Sequence, residues 1–555
     1  METVGPQNDE RRVPRVWLAL LVIYALALGL AYLGSWPLVS HENMTALRTQ
    51  GLMEQGHGLL PYLDGQPDLR KPPLGFWMVA GLSRVAGEMN EWTVRLPSVL
   101  AALGVMLLVV YWVSRLAGGR AGLVAGLATA MSFMVLDFGR SGLLDMELTF
   151  WTALAVTGYW RALAEEDRRR RGAWVWTMWL AAACGVLTKG PITPLVLLST
   201  AVVVAVICRE GRRIGRLAPV AGPLVAAAVV AAWAVPAYLS YPDFFEVWRQ
   251  QTFGRMGGEV GNAQPFWYYF WPPKCLIFCL PWALPLVIGI YRAIRHRQLG
   301  RLEWALLAAW GTVGIVLLSL SRAKMNYYVL PMMAPWLIFA GLGLSYLIFD
   351  LPQKMSGGAK AILAVHWLLV PAAVGAGIWG GLLVPEWQWP VTGLGVAAGV
   401  LMAAVLALYG GGRRVAALVT LAGGLLVLWI AVWGVMVAPL AWTVSDEAAI
   451  GRYIRERGIQ RECCVYQRGP WDYAMPFYAG GNLTQLETAA EVRQWRGEHP
   501  GGYVMVRVKG AGQLAEAGPW ETVPVQTGER PKRLPAKMVL LKAVEGPEPK
   551  PLTRP

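Results

Sequence analysis

Long apolar stretches recur along this 555-residue chain, and their number decides what it can fold into. A helix needs about 20 mostly apolar residues to cross a bilayer. Roughly thirteen such stretches can be marked: Val16–Trp36, Val94–Leu116, Gly122–Phe138, Met146–Ala164, Trp174–Leu187, Ile192–Cys208, Leu217–Leu239, Leu276–Tyr291, Trp304–Leu320, Tyr328–Phe349, Ala361–Val384, Val391–Tyr409 and Val415–Leu440. Hydrophobic residues make up 55% of the chain and charged residues 15%, too apolar a balance for a soluble protein of this length. The expected fold is an α-helical polytopic membrane protein. The fifth stretch is short and reads as re-entrant or tilted.

A net charge of +15 raises the question of nucleic acid, and its distribution argues against it. Arg11, Arg12 and Arg15 precede the first span. Basic clusters then follow every even one: Arg115 and Arg120; Arg168 to Arg171; Arg209, Arg212, Arg213 and Arg216; Arg292, Arg295, Arg297 and Arg301; Lys354 and Lys360; Arg413 and Arg414. That is the positive-inside pattern. It places the N-terminus in the cytoplasm and, after an odd number of spans, the C-terminus outside. The first span is too long for a signal peptide and lacks a small-residue cleavage site, so it reads as an anchor. The six cysteines show no metal-ligand spacing, and Cys463 and Cys464 are adjacent.

Three longer segments fall outside the spans: residues 37–93, 240–274 and 441–555. The first two join residues 1–440 as one membrane domain, and the third is a separate tail domain. In the first loop Ser40 can cap a helix. "HENMTALRTQGLMEQG" places Met44, Leu47 and Leu52 on one side, and "PLGFWMVAGLSRVAG" is apolar but short; both read as helices at the interface. In the tail, "DEAAIGRYIRERG" has helical spacing, with Ala448, Ile450 and Ile454 apolar, and "GYVMVRV" and "KMVLLKAV" look like strands. A small α/β domain outside the membrane is expected. The Asn482 sequon is a chance-level signal.

On the outer face cations are few and isolated: Arg70, Lys71, Arg95, Arg140, Lys189, Arg249, Arg255, Lys274, Arg322 and Lys324. Several sit among Pro, Gly or Tyr, in "KPPLGFW", "TKGPITP", "TFGRMGGE" and "SRAKMNYYVLP". Snorkelling to lipid phosphate accounts for any one of them, but as a set they point to a shared anion, because ionisable groups at the membrane border are costly unless paired or functional. Acids on this face are sparse: Glu42 after His41, then Asp137 and Asp145 around a short loop. Asp145 opens a helix, where the dipole keeps a carboxylate ionised.

Lone carboxylates opposite several cations, in a cleft at the membrane border, suit a lipid-linked phosphosugar. Attack at the anomeric carbon expels a phosphate, and preplaced Lys, Arg and Tyr donors stabilise the growing charge. A carboxylate or imidazole takes the proton of an acceptor hydroxyl. A transporter or flippase for the same lipid is the alternative, although transporters usually show repeated halves and mid-membrane charges. A non-catalytic lipid binder is the other.

The ordered set "PYLDGQPDLRKPPLGFW", "VRLPSVLAAL", "GRSGLLDMELTFW" and "LTKGP" resembles the GT-C superfamily, in particular the aminoarabinose transferases of the ArnT type and the protein O-mannosyltransferases. "TFGRMGG", "QPFWYYF", "LPW" and "YYVLP" match more weakly. The resemblance implies a GT-C fold of about 13 transmembrane helices in a bacterial inner membrane. It also implies inverting transfer of a sugar from a polyprenyl-phosphate donor to a lipid or protein acceptor at the outer face. By position it puts Lys71, Arg255 and Tyr328 on the donor phosphate, adds Arg70, Lys189 and Lys324 as neighbours, and makes Asp145 the second of two acids. The first acid, usually the Asp of an Asp-Glu pair, is replaced here by His41-Glu42, so either His41 is the base, or Glu42 moves into the role, or the site has lost its usual chemistry. Family positions that contribute to a metal site hold Arg70 and Asn262-Ala263-Gln264, which favours an anionic ligand over Zn²⁺ or Mg²⁺.

Overall fold

The computed structural model describes residues 13–544 except 40, 56, 64, 210–215, 219, 259–262, 271–272, 297–298, 355, 468–473, 482 and 526–535. The expected cap Ser40, Arg11 and Arg12, Arg212 and Arg213, Arg297, Asn262 and Asn482 lie outside the described residues.

Each apolar stretch is helical. In chain order the helices are α1 (Arg15–Leu30), α2 (His41–Glu54), α3 (Leu74–Ala86), α4 (Glu91–Ala117), α5 (Gly119–Ala130), α6 (Phe133–Phe138), α7 (Asp145–Ala164), α8 (Arg168–Lys189), α9 (Ile192–Cys208) and α10 (Ala221–Ser240). After these come α11 (Phe244–Arg249), α12 (Arg255–Gly257), α13 (Lys274–Phe278), α14 (Ala283–Arg295), α15 (Arg301–Leu320), α16 (Ala334–Ser345), α17 (Gly357–His366), α18 (Leu369–Leu383), α19 (Gln388–Gly410), α20 (Arg414–Ala431) and α21 (Ala438–Val444). Among the described residues, six helices are long and apolar enough to cross a membrane, or up to seven if the bent pair Asn326–Met332 and Ala334–Asp350 is one span. Several of the remaining stretches are shorter than a full crossing or carry charge at their ends.

Three stretches differ from a plain span. The third breaks at Met131 and Ser132 into α5 and α6, and the tenth bends by 65° at its Pro-containing start. The fifth, expected to be short, is the 22-residue α8, because Arg168–Arg171 extend it by a turn behind the Asp167 cap.

α2 also departs from expectation. It does not lie on a surface: Glu42, Asn43, Thr45, Ala46, Arg48, Thr49, Gly51 and Leu52 are all buried, so its polar side faces inward. Its contacts are with α3 and a short hairpin, β1 (Tyr62–Leu63) paired with β2 (Gln66–Pro67), and with the tail. A helix buried this way positions polar groups instead of floating on lipid.

The tail begins at α22 (Asp446–Arg457) and contains β3 (Cys463–Tyr466), α23 (Ala474–Ala479), β4 (Thr484–Leu486), α24 (Ala489–Glu498), β5 (Tyr503–Arg507), β6 (Trp520–Val523) and β7 (Met538–Ala543). The strands form one mixed sheet in the order β4-β3-β5-β7-β6; β3 runs parallel to β4 and β5, and β7 antiparallel to β5 and β6. The expected strands at 502–508 and 537–544 are β5 and β7. The tail docks on the first loop: Tyr478 Oη accepts from Leu38 N at 2.7 Å and donates to Glu91 Oε1 at 2.9 Å.

Candidate active site

Helix polarity builds the centre of the site. α7 and α8 pack as an antiparallel pair, so the N-terminus of α7 meets the C-terminus of α8. An acid at the first position and a base at the second each complement a helix dipole. Asp145, the first residue of α7, is 2% exposed. Lys189, the last residue of α8 before Gly190 at φ 88°, places Nζ 2.6 Å from both Asp145 oxygens. The same ammonium lies 5.0 Å from the ring centre of Tyr327 and 5.9 Å from that of Tyr328. Residues far apart in the chain therefore meet: Asp145, Lys189 and the "NYYVLP" turn.

The first loop brings the second half. His41 opens α2 and is solvent-accessible. Partial desolvation lowers its pKa from the ordinary value, and the fields of Lys189, Lys71 and Arg48 lower it further, against Asp145. The fields of those four charges therefore all reach one imidazole. Arg48 stands seven residues on from His41, on the same side of α2. It is buried, and its Nε donates to Asp68 Oδ2 at 2.8 Å.

Asp68 also receives Arg70, through Nε on Oδ1 at 2.6 Å and Nη2 on Oδ2 at 2.9 Å. Burial alone would raise the Asp68 carboxyl, but the hydrogen bonds and charges of Arg70 and Arg48 prevail and hold it down at about 2. Lys71 follows directly, half-buried. The second loop braces this turn from the other side, where Trp248 Nε1 donates to Leu69 O at 2.8 Å.

Glu42 sits beside His41 but faces elsewhere. It is 3% exposed and takes Arg95 Nε on Oε1 and Nη2 on Oε2, both at 2.9 Å. Gly142 N donates to Oε1 at 2.7 Å and Val39 N to Oε2 at 3.1 Å. Both oxygens are engaged, so Glu42 ties the 137–145 loop to the start of α2. Arg95 and Arg140 also serve the fold. Arg95 donates to the carbonyls of Leu33, Trp36 and Pro37, and Arg140 to those of Leu28, Gly29 and Ala31, closing the chain's exit from α1.

The remaining candidates divide. Lys324 is buried and donates to Gln264 O at 3.0 Å, joining the second loop to the segment before Tyr327. Arg249 pairs with Glu246 on the surface. Arg255 opens α12, and its side chain lies outside the described ones. Among the described residues no group of three or more His, Cys, Asp or Glu is placed to hold a metal ion. The position of Arg70 does not fit one either, since its guanidinium is held on Asp68.

Arg48, Asp68, Tyr327 and the Glu42–Arg95 pair do not stand out as site residues in the sequence. Only Arg48 carried a usable signal, its helical spacing from His41.

A family profile described as dolichyl-phosphate-mannose-protein mannosyltransferase matches residues 70–236. The chain is 30% identical over 335 residues to an undecaprenyl phosphate-alpha-4-amino-4-deoxy-L-arabinose arabinosyl transferase of Pseudomonas savastanoi pv. phaseolicola, covering 57% of this chain and 58% of the relative. Against the enzyme of that name from Edwardsiella ictaluri it is 27% identical over 388 residues, covering 68% of this chain and 66% of the relative. The chain thus spans about three fifths to two thirds of these curated relatives. Among solved structures, ArnT from Cupriavidus metallidurans bound to undecaprenyl phosphate superposes with a TM-score of 0.76 at 19% identity, covering 97% of this chain and 100% of that one. Its apo state gives 0.78 at 18% identity, covering 96% and 99%. At that identity the likeness establishes the fold.

Proposed function

We propose, from the premise that this chain is an ArnT-like member of the GT-C superfamily by fold, that it is an integral-membrane glycosyltransferase. Its donor is a polyprenyl-phosphate sugar, and its acceptor is a lipid or protein at the outer face of a bacterial inner membrane. The N-terminus is cytoplasmic and the tail domain lies outside. The undecaprenyl phosphate-linked sugar in the relatives' names supports the donor class.

The observation that carries this reading is the convergence of Asp145, Lys189, Tyr327 and Tyr328 with His41, Arg48 and Lys71. An acceptor oxygen attacks the anomeric carbon. The bond from that carbon to the phosphate oxygen breaks, and its electron pair leaves with the lipid phosphate. Lys71 and Tyr328 face that phosphate, with Arg70 and Lys189 as its cationic surround, and the resemblance adds Arg255 to them; Lys324 stays behind as a tie to Gln264 O. Asp145, steadied by Lys189, orients the sugar. His41, its pKa lowered by desolvation and then by its cationic neighbours, accepts the proton of a hydroxyl acceptor. Glu42 is a strut in this scheme and takes no proton.

The test is a sugar-release assay with the purified full chain and a labelled polyprenyl-phosphate sugar. A transferase releases polyprenyl phosphate and labels an acceptor. A flippase moves the lipid across a vesicle membrane uncleaved, and a binder does neither; either of those outcomes overturns the proposal.

A further inference from the structure

Lys71 and Lys189 reach the site from different elements, and one apolar cluster underlies both. Leu69 stands two residues before Lys71 and Leu187 two before Lys189, and both leucines lie in it. Leu60 of the first loop, Trp233 of α10 and Phe244 and Trp248 of α11 complete its centre. The three aromatic side chains pack ring against ring, with centroids 5.4 Å (Trp233–Phe244), 5.8 Å (Phe244–Trp248) and 5.9 Å (Trp233–Trp248) apart.

The cluster also grips the first loop through polar tips. Trp233 Nε1 donates to Leu59 O at 2.9 Å and Trp248 Nε1 to Leu69 O at 2.8 Å. Between these two points the hydroxyls of Tyr62 and Tyr241 share a hydrogen bond at 2.5 Å. An indole has only two side-chain torsions to fix, so it makes a stiff prop. Residues 68 and 69 are clamped from two sides. Arg48 of α2 holds the Asp68 side chain, and Trp248 of α11 holds the next carbonyl. Lys71 follows this clamp directly, and Pro72 and Pro73 stiffen the chain beyond it.

We infer that Trp248 is a positioning residue for donor binding: it holds the Lys71 turn at a set distance from Lys189, and it acts through Lys71. The inference rests on the transferase reading, in which both cations serve the donor phosphate.

The experiment is a double-mutant cycle on the purified full chain, with Trp248→Phe and Lys71→Met made singly and together. Trp248→Phe keeps a packed ring and removes the N–H. Two constants are read beside thermal unfolding in detergent: KM for a labelled polyprenyl-phosphate sugar, and Kd for polyprenyl phosphate, which needs no turnover. In Trp248→Phe both are expected to rise about three- to tenfold, with kcat within about twofold of native. In the Lys71→Met background the same substitution is expected to change Kd by less than about 1.5-fold. A purely structural role would lower the folded fraction and leave Kd per folded molecule at its native value. Glu246→Gln, on the exposed side of α11, is the control and should leave both constants unchanged. Trp248→Met, read the same way, serves if Trp248→Phe does not fold. A native Kd in the single variant, an equal effect in both backgrounds, or failure of both Trp248 variants to fold overturns the inference while the transferase reading stands. A native chain that cleaves no donor defeats that reading, and the inference with it.

Discussion

Lys189 Nζ stands 2.6 Å from each carboxylate oxygen of Asp145, across the junction where α7 begins and α8 ends. Asp145 is almost fully buried and the Lys189 side chain is 21% exposed, so the pair is desolvated chiefly on the acid's side. Removing Lys189 therefore leaves a buried carboxylate without its counter-ion.

Lys189→Met is expected to destabilise the protein by about 2–4 kcal/mol, and Asp145→Asn by less, because an amide remains tolerable there. The double variant recovers most of the stability but not the activity. Transfer in Asp145→Asn is expected to fall at least ~100-fold. Thermal unfolding in detergent beside the sugar-release assay checks both. Full transfer in Asp145→Asn would remove Asp145 from the site.

Glu42 and Arg95 make a different kind of pair. Their side chains are 4% and 0% exposed, and the contact is a two-pronged fork with further backbone donors. Arg95→Met is expected to cost about 3–5 kcal/mol and to lower the yield of folded protein. Glu42→Gln keeps the shape and costs about 1–2 kcal/mol. Turnover per folded molecule in Glu42→Gln should stay within about threefold of native, since this group is a strut. A stable Glu42→Gln protein without turnover would instead make Glu42 the base.

The sequence made one class of feature readable and hid another. Ile192–Cys208 is legible to the residue because a run of Val, Leu and Ile lies between Pro191 and Arg209. Asp145 and Lys189 each stand out from local cues, a helix start and a Gly-Pro exit. Their pairing depends on how α7 and α8 fold back on one another, which no local pattern encodes. The same holds for Glu42 and Arg95, separated by 53 residues. The burial of α2 is hidden for a related reason: with Met44, Leu47 and Leu52 as its apolar positions it suits an interface, and α3, the hairpin and the tail packed over it turn its polar side inward.

Asp68 links the first loop to the phosphate side of the site. Its carboxyl is held at about 2, below its unfolded value near 3.9. A depressed acid contributes stability that is complete above the unfolded value and fades as pH falls from about 4 toward 2. Asp68→Asn should flatten that part of the stability–pH profile. It also frees Arg48 and Arg70 beside Lys71, so KM for the donor should change several-fold while kcat moves less. A kcat collapse with unchanged KM would contradict this placing of Asp68.

His41 gives the converse test at neutral pH. Desolvation and the cations Lys189, Lys71 and Arg48 lower its pKa below 6.5, with Asp145 opposing. The unfolded chain therefore binds a proton in a range where the folded chain does not, and stability falls as pH drops below about 6.5 toward the folded value. For catalysis the neutral imidazole is the active form, so the acid limb of kcat/KM should lie below pH 6.5. Lys71→Met removes one cation and should move that limb upward, even though its overall rate is lower. His41→Gln should lower kcat more than donor affinity and abolish the limb. An acid limb unmoved by either substitution would assign the proton to another group or to none, as for an acceptor that is already an anion and needs no base.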